Sequence, residues 1–208
     1  MTPRASLAGF IDDPRAQVLA AESLVRGAVV VLPTDTLYGL SAALSHEEAV
    51  RRIASIKQAP QERRFIVLAS SIEMVERYVA SFGCATREDL AARWPAPFTA
   101  ILPSGRACPA WVGPTVAVRV PAFDPIRALI ERVGEPIVST SVNRTGREPL
   151  DDAPAIMREF GDEIDAVFER RGEGGGASTI VDLCGKTARV VRAGGYAWDA
   201  TGGGKPSK

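Results

Sequence analysis

Short apolar runs alternate with amphipathic stretches along the chain, and this alternation predicts most of its elements. A first helix is expected over about residues 15–26, with Val18, Leu24 and Val25 turned inward and Gly27 at its C-terminal cap. VVVLP (29–33) is short, apolar and β-branched, the pattern of a strand buried on both faces. Ser45, followed three residues later by Glu48, reads as a capping box that opens a second helix, which Pro60 limits. FIVLA (65–69) is a further buried strand. Ser70 and Glu73 form a second such box, opening a helix with Met74, Val75 and Tyr78 inward. Asp124-Pro125 starts a helix that Gly134 closes. FTAIL (98–102), VAVRV (116–120), PIVST (136–140), STIVD (178–182) and RVVR (189–192) supply the remaining strands. Strands alternating with helices imply an α/β fold whose partly parallel sheet is covered on its faces. In such sheets ligands bind at strand ends, and the polar, glycine-rich segments fall there.

Composition narrows the classes. With 46% hydrophobic residues, 208 residues can bury a substantial core. The 25 basic and 25 acidic side chains balance, so any basic surface is a local patch and nucleic-acid binding by bulk charge is excluded. Cys84, Cys108 and Cys184 lie far apart, which argues against a disulfide framework or zinc knuckle and for a reducing compartment. The N-terminal segment has neither a long apolar run nor the pattern of a signal peptide, so a cytoplasmic protein is expected. Residues 1–199 read as one domain, and the glycine-rich 200–208 as a disordered tail.

Five segments could carry chemistry. PTDTLYGL (33–40) gathers hydroxyls at a strand exit, either to hold a polar ligand or to close a turn. IKQAPQERRF (56–65) clusters Lys57, Arg63 and Arg64 around a proline, as a phosphate clamp or a solvated loop. In TVAVRVP (115–121) the period of two sets Arg119 opposite the valines, on a solvated face or aimed into a cleft. STSVNRTG (139–146) offers hydroxyls and an amide for phosphate or carboxylate oxygens, or forms a polar loop. RRGEGGGASTIVD (170–182) places three glycines before Ser178, which permits close backbone approach or a flexible link, and lacks the GKS or GKT of a Walker loop. The single histidine, His46, falls inside the first capping box and reads as structural.

PTDTLYGL, KQAP with Arg63, WPAPFT (94–99), VAVRVP, STSVN with Gly146, STIVD and Arg192-Ala193-Gly194 stand in one order over about residues 12–196. In that order they resemble the motifs of the YrdC family. The resemblance implies a YrdC-like twisted mixed sheet with helices packed on it and a large basic ligand cleft. It implies synthesis of L-threonylcarbamoyl-AMP from L-threonine, bicarbonate and ATP, for tRNA modification with further tRNA-modifying proteins as partners. By position, Thr36, Arg119, Ser139 and Ser178 match threonine-binding residues. Arg63, Thr115, Ser141 and Arg192 match ATP-binding residues, and Lys57 and Asn143 match motif residues near the phosphates. Catalysis would rest on Lys57, Arg119, Ser141 and Asn143 as positioning and charge-stabilising groups. No metal ligand is implied, and Mg²⁺ would be carried largely by the nucleotide.

Three positions depart from the family pattern: Ala59 replaces the arginine of KxRP, Ala96 the glycine of WPGP, and Arg64 a proline or glycine. Loss of one charged hydrogen bond costs about 1.5–3 kcal/mol, roughly one to two decades in ATP affinity, unless Arg64 restores the charge. The basic loop is also similar to that of YciO, a paralogue whose reading would be binding of nucleotide or double-stranded RNA with little synthesis. Asn143 and Ser178 side with the synthase. A carbamoyltransferase of the hydrogenase-maturation type shares the fold but carries further domains.

Overall fold

The sheet is built outward from the VVVL run. Val29 and Val31 belong to one hydrophobic core and Val30 and Leu32 to another, so this strand is buried on both faces. The computed structural model describes residues 5–58, 65–172 and 174–199. Its strands are β1 (Ser6–Phe10), β2 (Val30–Leu32), β3 (Gly39–Ala43), β4 (Ile66–Leu68), β5 (Phe98–Pro103), β6 (Thr115–Arg119), β7 (Ile137–Ser141), β8 (Ala166–Glu169), β9 (Thr179–Asp182) and β10 (Arg189–Arg192). Its helices are α1 (Pro14–Val25), α2 (Glu47–Ile56), α3 (Ile72–Tyr78), α4 (Arg87–Arg93), α5 (Asp124–Val133) and α6 (Ala153–Phe160). The strands form one mixed sheet of ten in the order β1-β8-β2-β3-β7-β4-β6-β5-β9-β10. One core takes Ala20 and Leu24 of α1, Leu129 and Ile130 of α5, and Met74 and Leu90 of α3 and α4. The other takes Val50 and Ile53 of α2 and Ile156 and Phe160 of α6.

Several local expectations shift. Val18 and Val25 are 40% and 53% exposed, because α1 turns the small Ala16, Ala20 and Ala21 inward with Leu24. Small side chains there let α1 lie close to α5 and the sheet. Ser45 caps nothing: its N–H and hydroxyl both donate to the Glu135 carboxylate (2.9 and 2.7 Å), and α2 begins after His46. A tertiary partner has outcompeted the local box. His46 is structural, its Nε2 lying 2.9 Å from the Val25 carbonyl. The α3 cap is Ser71 rather than Ser70, accepting from Met74 N–H at 3.3 Å. Of the three residues expected inward there, Met74 and Val75 are buried and Tyr78 is half-buried. Gly134 closes α5 with φ 83°, a left-handed cap that glycine adopts without steric cost. Pro60 and the 200–208 tail lie outside the described residues.

A true capping box opens α4, where Asp89 accepts Thr86 N–H (2.9 Å) and Thr86 Oγ1 accepts Asp89 N–H (3.1 Å). The hydrogen bond from the Thr86 backbone, then that with its side chain, holds the Asp89 carboxyl below the ordinary range. A depressed folded value means that the contribution is complete above the unfolded pKa of about 4 and is lost as pH falls through the folded one. Asp89→Asn should therefore melt below the parent at pH 7, and the gap should close towards about pH 2. Thermal midpoints of both proteins across that range check this.

Candidate active site

Strand register assembles a polar face in the middle of the sheet. Ser139 and Ser141 of β7 lie opposite Ser41 and Gly39 of β3. On the other side Ile137 pairs with Leu68, and Leu68 with Arg119, so Arg119 shares the face of the two serines. A Cβ at Gly39 would overlap Ser139 Oγ, so glycine leaves that hydroxyl its place in the cavity wall. β9 then brings Ser178 to the side, where its hydroxyl lies 3.0 Å from that of Thr99. These groups surround a cavity of about 290 Å³ lined by Thr36, Arg119, Ser139, Ser141, Ser178 and Arg192 with apolar neighbours including Leu37, Phe65 and Pro149.

Arg119 is the central cation and is only 4% exposed. Its Nη1 donates to Thr36 Oγ1 (3.0 Å), and its Nη2 lies 3.5 Å from Asp35 Oδ1. Its Nε has no hydrogen-bond partner among the described residues. Burial lowers the Arg119 pKa, the Asp35 carboxylate opposes that shift, and Arg192 adds to it. Thr34 Oγ1 donates to the Leu37 carbonyl (2.8 Å), so in the 2.9 Å contact between Thr34 and Thr36 the donor is Thr36. Thr36 thereby presents a lone pair to Arg119. The loop reads as a turn and as a ligand wall at once.

Arg192 stands at the rim. Its Nε and Nη2 donate to the Ser178 carbonyl (3.0 and 2.7 Å), and Nη2 also reaches Ser178 Oγ (3.1 Å). Burial lowers its pKa as well. Gly194 passes so close that a Cβ would overlap the Ala177 and Ser178 backbone. Thr179 Oγ1 holds this turn by accepting Gly194 N–H at 2.9 Å.

Two of the sequence-predicted residues sit behind the cavity wall. Lys57 is fully buried, and its ammonium donates to Ser141 O (2.5 Å), Asn143 O (3.0 Å) and Asn143 Oδ1 (2.7 Å). Ser141 Oγ donates to the same Asn143 Oδ1 (2.7 Å), while Asn143 Nδ2 donates to Arg147 O (2.6 Å). In this arrangement Lys57 and Asn143 shape the turn that presents Ser141. Thr115 begins β6 on the face of Arg119 but does not line the cavity. Arg63, with Ala59 and Arg64, lies outside the described residues. Sequence reasoning left Asp35 and Thr99 without roles. Both fall inside motifs it quoted, but their partners come from distant strands.

Comparison with known proteins agrees with this fold. The family model for Sua5, YciO and YrdC proteins, described as telomere recombination, matches residues 22–194. A threonylcarbamoyl-AMP synthase of Chromobacterium violaceum is 35% identical over 181 residues, 86% of this chain and 93% of that protein. Sua5 of P. abyssi, solved in complex with L-threonine, is 30% identical with a TM-score of 0.82 over 92% of this chain. This chain spans only 57% of that longer protein. E. coli YciO is 28% identical, with a TM-score of 0.81 over 93% of this chain and 96% of its own. The motif order and the mixed sheet thus have one common explanation: the chain belongs to the Sua5/YciO/YrdC family.

Proposed function

We propose that the protein is an L-threonylcarbamoyladenylate synthase. The observation that carries this is the buried Arg119, which lines a cavity of hydroxyls with a second guanidinium, Arg192, at its rim. Two cations and several hydroxyl groups suit an amino-acid carboxylate beside a polyphosphate. The named synthase relatives, and Sua5 solved with L-threonine, support the choice of substrate.

Threonine's amine would take up bicarbonate with loss of water, giving a carbamate. A carbamate oxygen then attacks the α-phosphorus of ATP, the bond to the β-phosphate oxygen breaks, and pyrophosphate leaves. Nothing in this sequence needs a protein nucleophile. Arg119 would hold the threonine carboxylate with Thr36, Ser139 and Ser178 around it. Ser141 and Arg192 would contact the nucleotide, with Lys57 and Asn143 fixing Ser141. Among the described residues the carboxylate beside Arg119 is Asp35, whose Oδ2 accepts Ala122 N–H at 3.0 Å; the hydroxyls and guanidiniums that line the cleft supply no anionic ligand for Mg²⁺, so the triphosphate would carry the ion. The product would pass in the cytoplasm to proteins that modify tRNA.

Purified protein with ATP and bicarbonate should release pyrophosphate on addition of threonine, and much more slowly with serine or valine. Release indifferent to the amino acid removes the synthase reading and leaves a YciO-like nucleotide binder. Arg192→Ala should raise the ATP requirement about tenfold or more, with a smaller effect on threonine. Initial rates across both substrates measure that split.

A further inference from the structure

Arg170 lies outside the groups assigned to either substrate, yet three walls of the cleft converge on it. Its side chain is 5% exposed. Nη2 donates to both oxygens of Asp151 at 2.7 Å, Nη1 reaches the Thr34 carbonyl at 3.3 Å, and Nε the Gly172 carbonyl at 3.3 Å. The guanidinium lies over the Tyr38 ring, 4.8 Å from its centroid, while the Arg170 N–H donates to Tyr38 Oη at 3.2 Å. The glycine segment is part of the same arrangement. A Cβ at Gly174 would overlap both the Arg170 guanidinium and the Thr36 carbonyl, and Gly175 N–H donates to the Asp35 carbonyl at 3.2 Å.

We propose that Arg170 and Asp151 form a clasp that positions the Thr34–Tyr38 loop and the 174–178 segment around Arg119, and so sets affinity for the amino acid. Thr34 touches Thr36, Thr36 accepts from Arg119, and Asp35 faces the same guanidinium, so a displaced loop moves both partners of Arg119 together. Asp151 is two residues from Pro149, which lines the cavity. The Asp151 pair is the strong member: charge-assisted, with Nη2 within 2.7 Å of both carboxylate oxygens, against two longer contacts to neutral carbonyls. Without it, among the described residues a nearly buried cation keeps those weak acceptors and the Tyr38 face. Arg170 is thus a positioning residue, acting through the loop.

The claim rests on the synthase reading, so its test pairs kinetics with a measurement that needs no substrate. Asp151 is 44% exposed, which makes Asp151→Asn tolerable to the fold. Asp151→Asn should raise the KM for threonine about five- to tenfold, leaving kcat and the KM for ATP within about twofold. Hydrogen exchange on the full chain should speed up at the amides of Gly175 and residues 34–38, with the rest of the sheet unchanged. Arg170→Lys should behave alike, since one ammonium cannot hold Asp151, the Thr34 and Gly172 carbonyls and the Tyr38 face together. Asp151→Glu, which keeps the carboxylate, should restore most of the threonine affinity. Unchanged exchange in Asp151→Asn overturns the clasp, and so does faster exchange with no effect on threonine. Wild-type protein that ignores threonine sinks the synthase reading alone, because the exchange rates still judge whether Arg170 holds the loops.

Discussion

Arg119→Ala should raise the threonine concentration for half-maximal pyrophosphate release by about two to three decades, with the ATP requirement moving by less than about one. Each charge-assisted hydrogen bond to a carboxylate is worth about 1.5–3 kcal/mol, and a forked guanidinium makes two. The same change takes away the cation beside Asp35, whose side chain is only 8% exposed. An uncompensated buried carboxylate costs about 3–5 kcal/mol, so the variant should also lose stability. Asp35→Asn in the same chain should recover the stability and leave the threonine defect in place. Denaturation midpoints and the two KM values separate these effects. Equal shifts in both KM values would show that the division of the cleft between substrates is wrong.

The second large effect concerns Lys57. Lys57→Met removes a buried ammonium from three acceptors, Ser141 O, Asn143 O and Asn143 Oδ1. At about 1 kcal/mol or more for each acceptor left dry, the loss should reach about 3 kcal/mol. The turn carrying Ser141 and Asn143 should loosen with it, and turnover should fall. Urea unfolding with an unchanged slope measures the first quantity. Full stability with abolished turnover would mean that the ammonium leaves its carbonyls to act on phosphates, as the resemblance to YrdC motifs implies.

This residue shows where sequence reading reached and where it stopped. The motif position of Lys57 was legible, but its burial under the 141–143 turn depends on a contact some 84 residues away. The strands were legible where both faces are apolar, as in β2, β4 and β5. β3 was not, because Gly39, which lines the cleft, and Ser41, two residues on, break the apolar pattern. Function there overrides periodicity. The period of two placed Arg119 opposite the valines but left solvent and cleft as alternatives, and only the Thr34–Thr36 loop encloses it. Ser45 and Ser70 met the spacing of a capping box, yet a distant glutamate and an adjacent serine won. Arg170 carried no signal beyond its place in a basic, glycine-rich run, since Asp151, Thr34 and Tyr38 meet it only after folding.

The strand order has a consequence for how the protein is made. β9 joins the sheet through β5, and Arg192 arrives on β10, which pairs only with β9 among the described strands. A chain emerging from the ribosome therefore carries Thr36, Arg119 and Ser139 long before the strand that completes the rim. Pairings so distant in sequence form late and together. Competence to bind the nucleotide should therefore appear only once β10 has been made, and a truncated product lacking β10 should retain only the amino-acid end of the cleft.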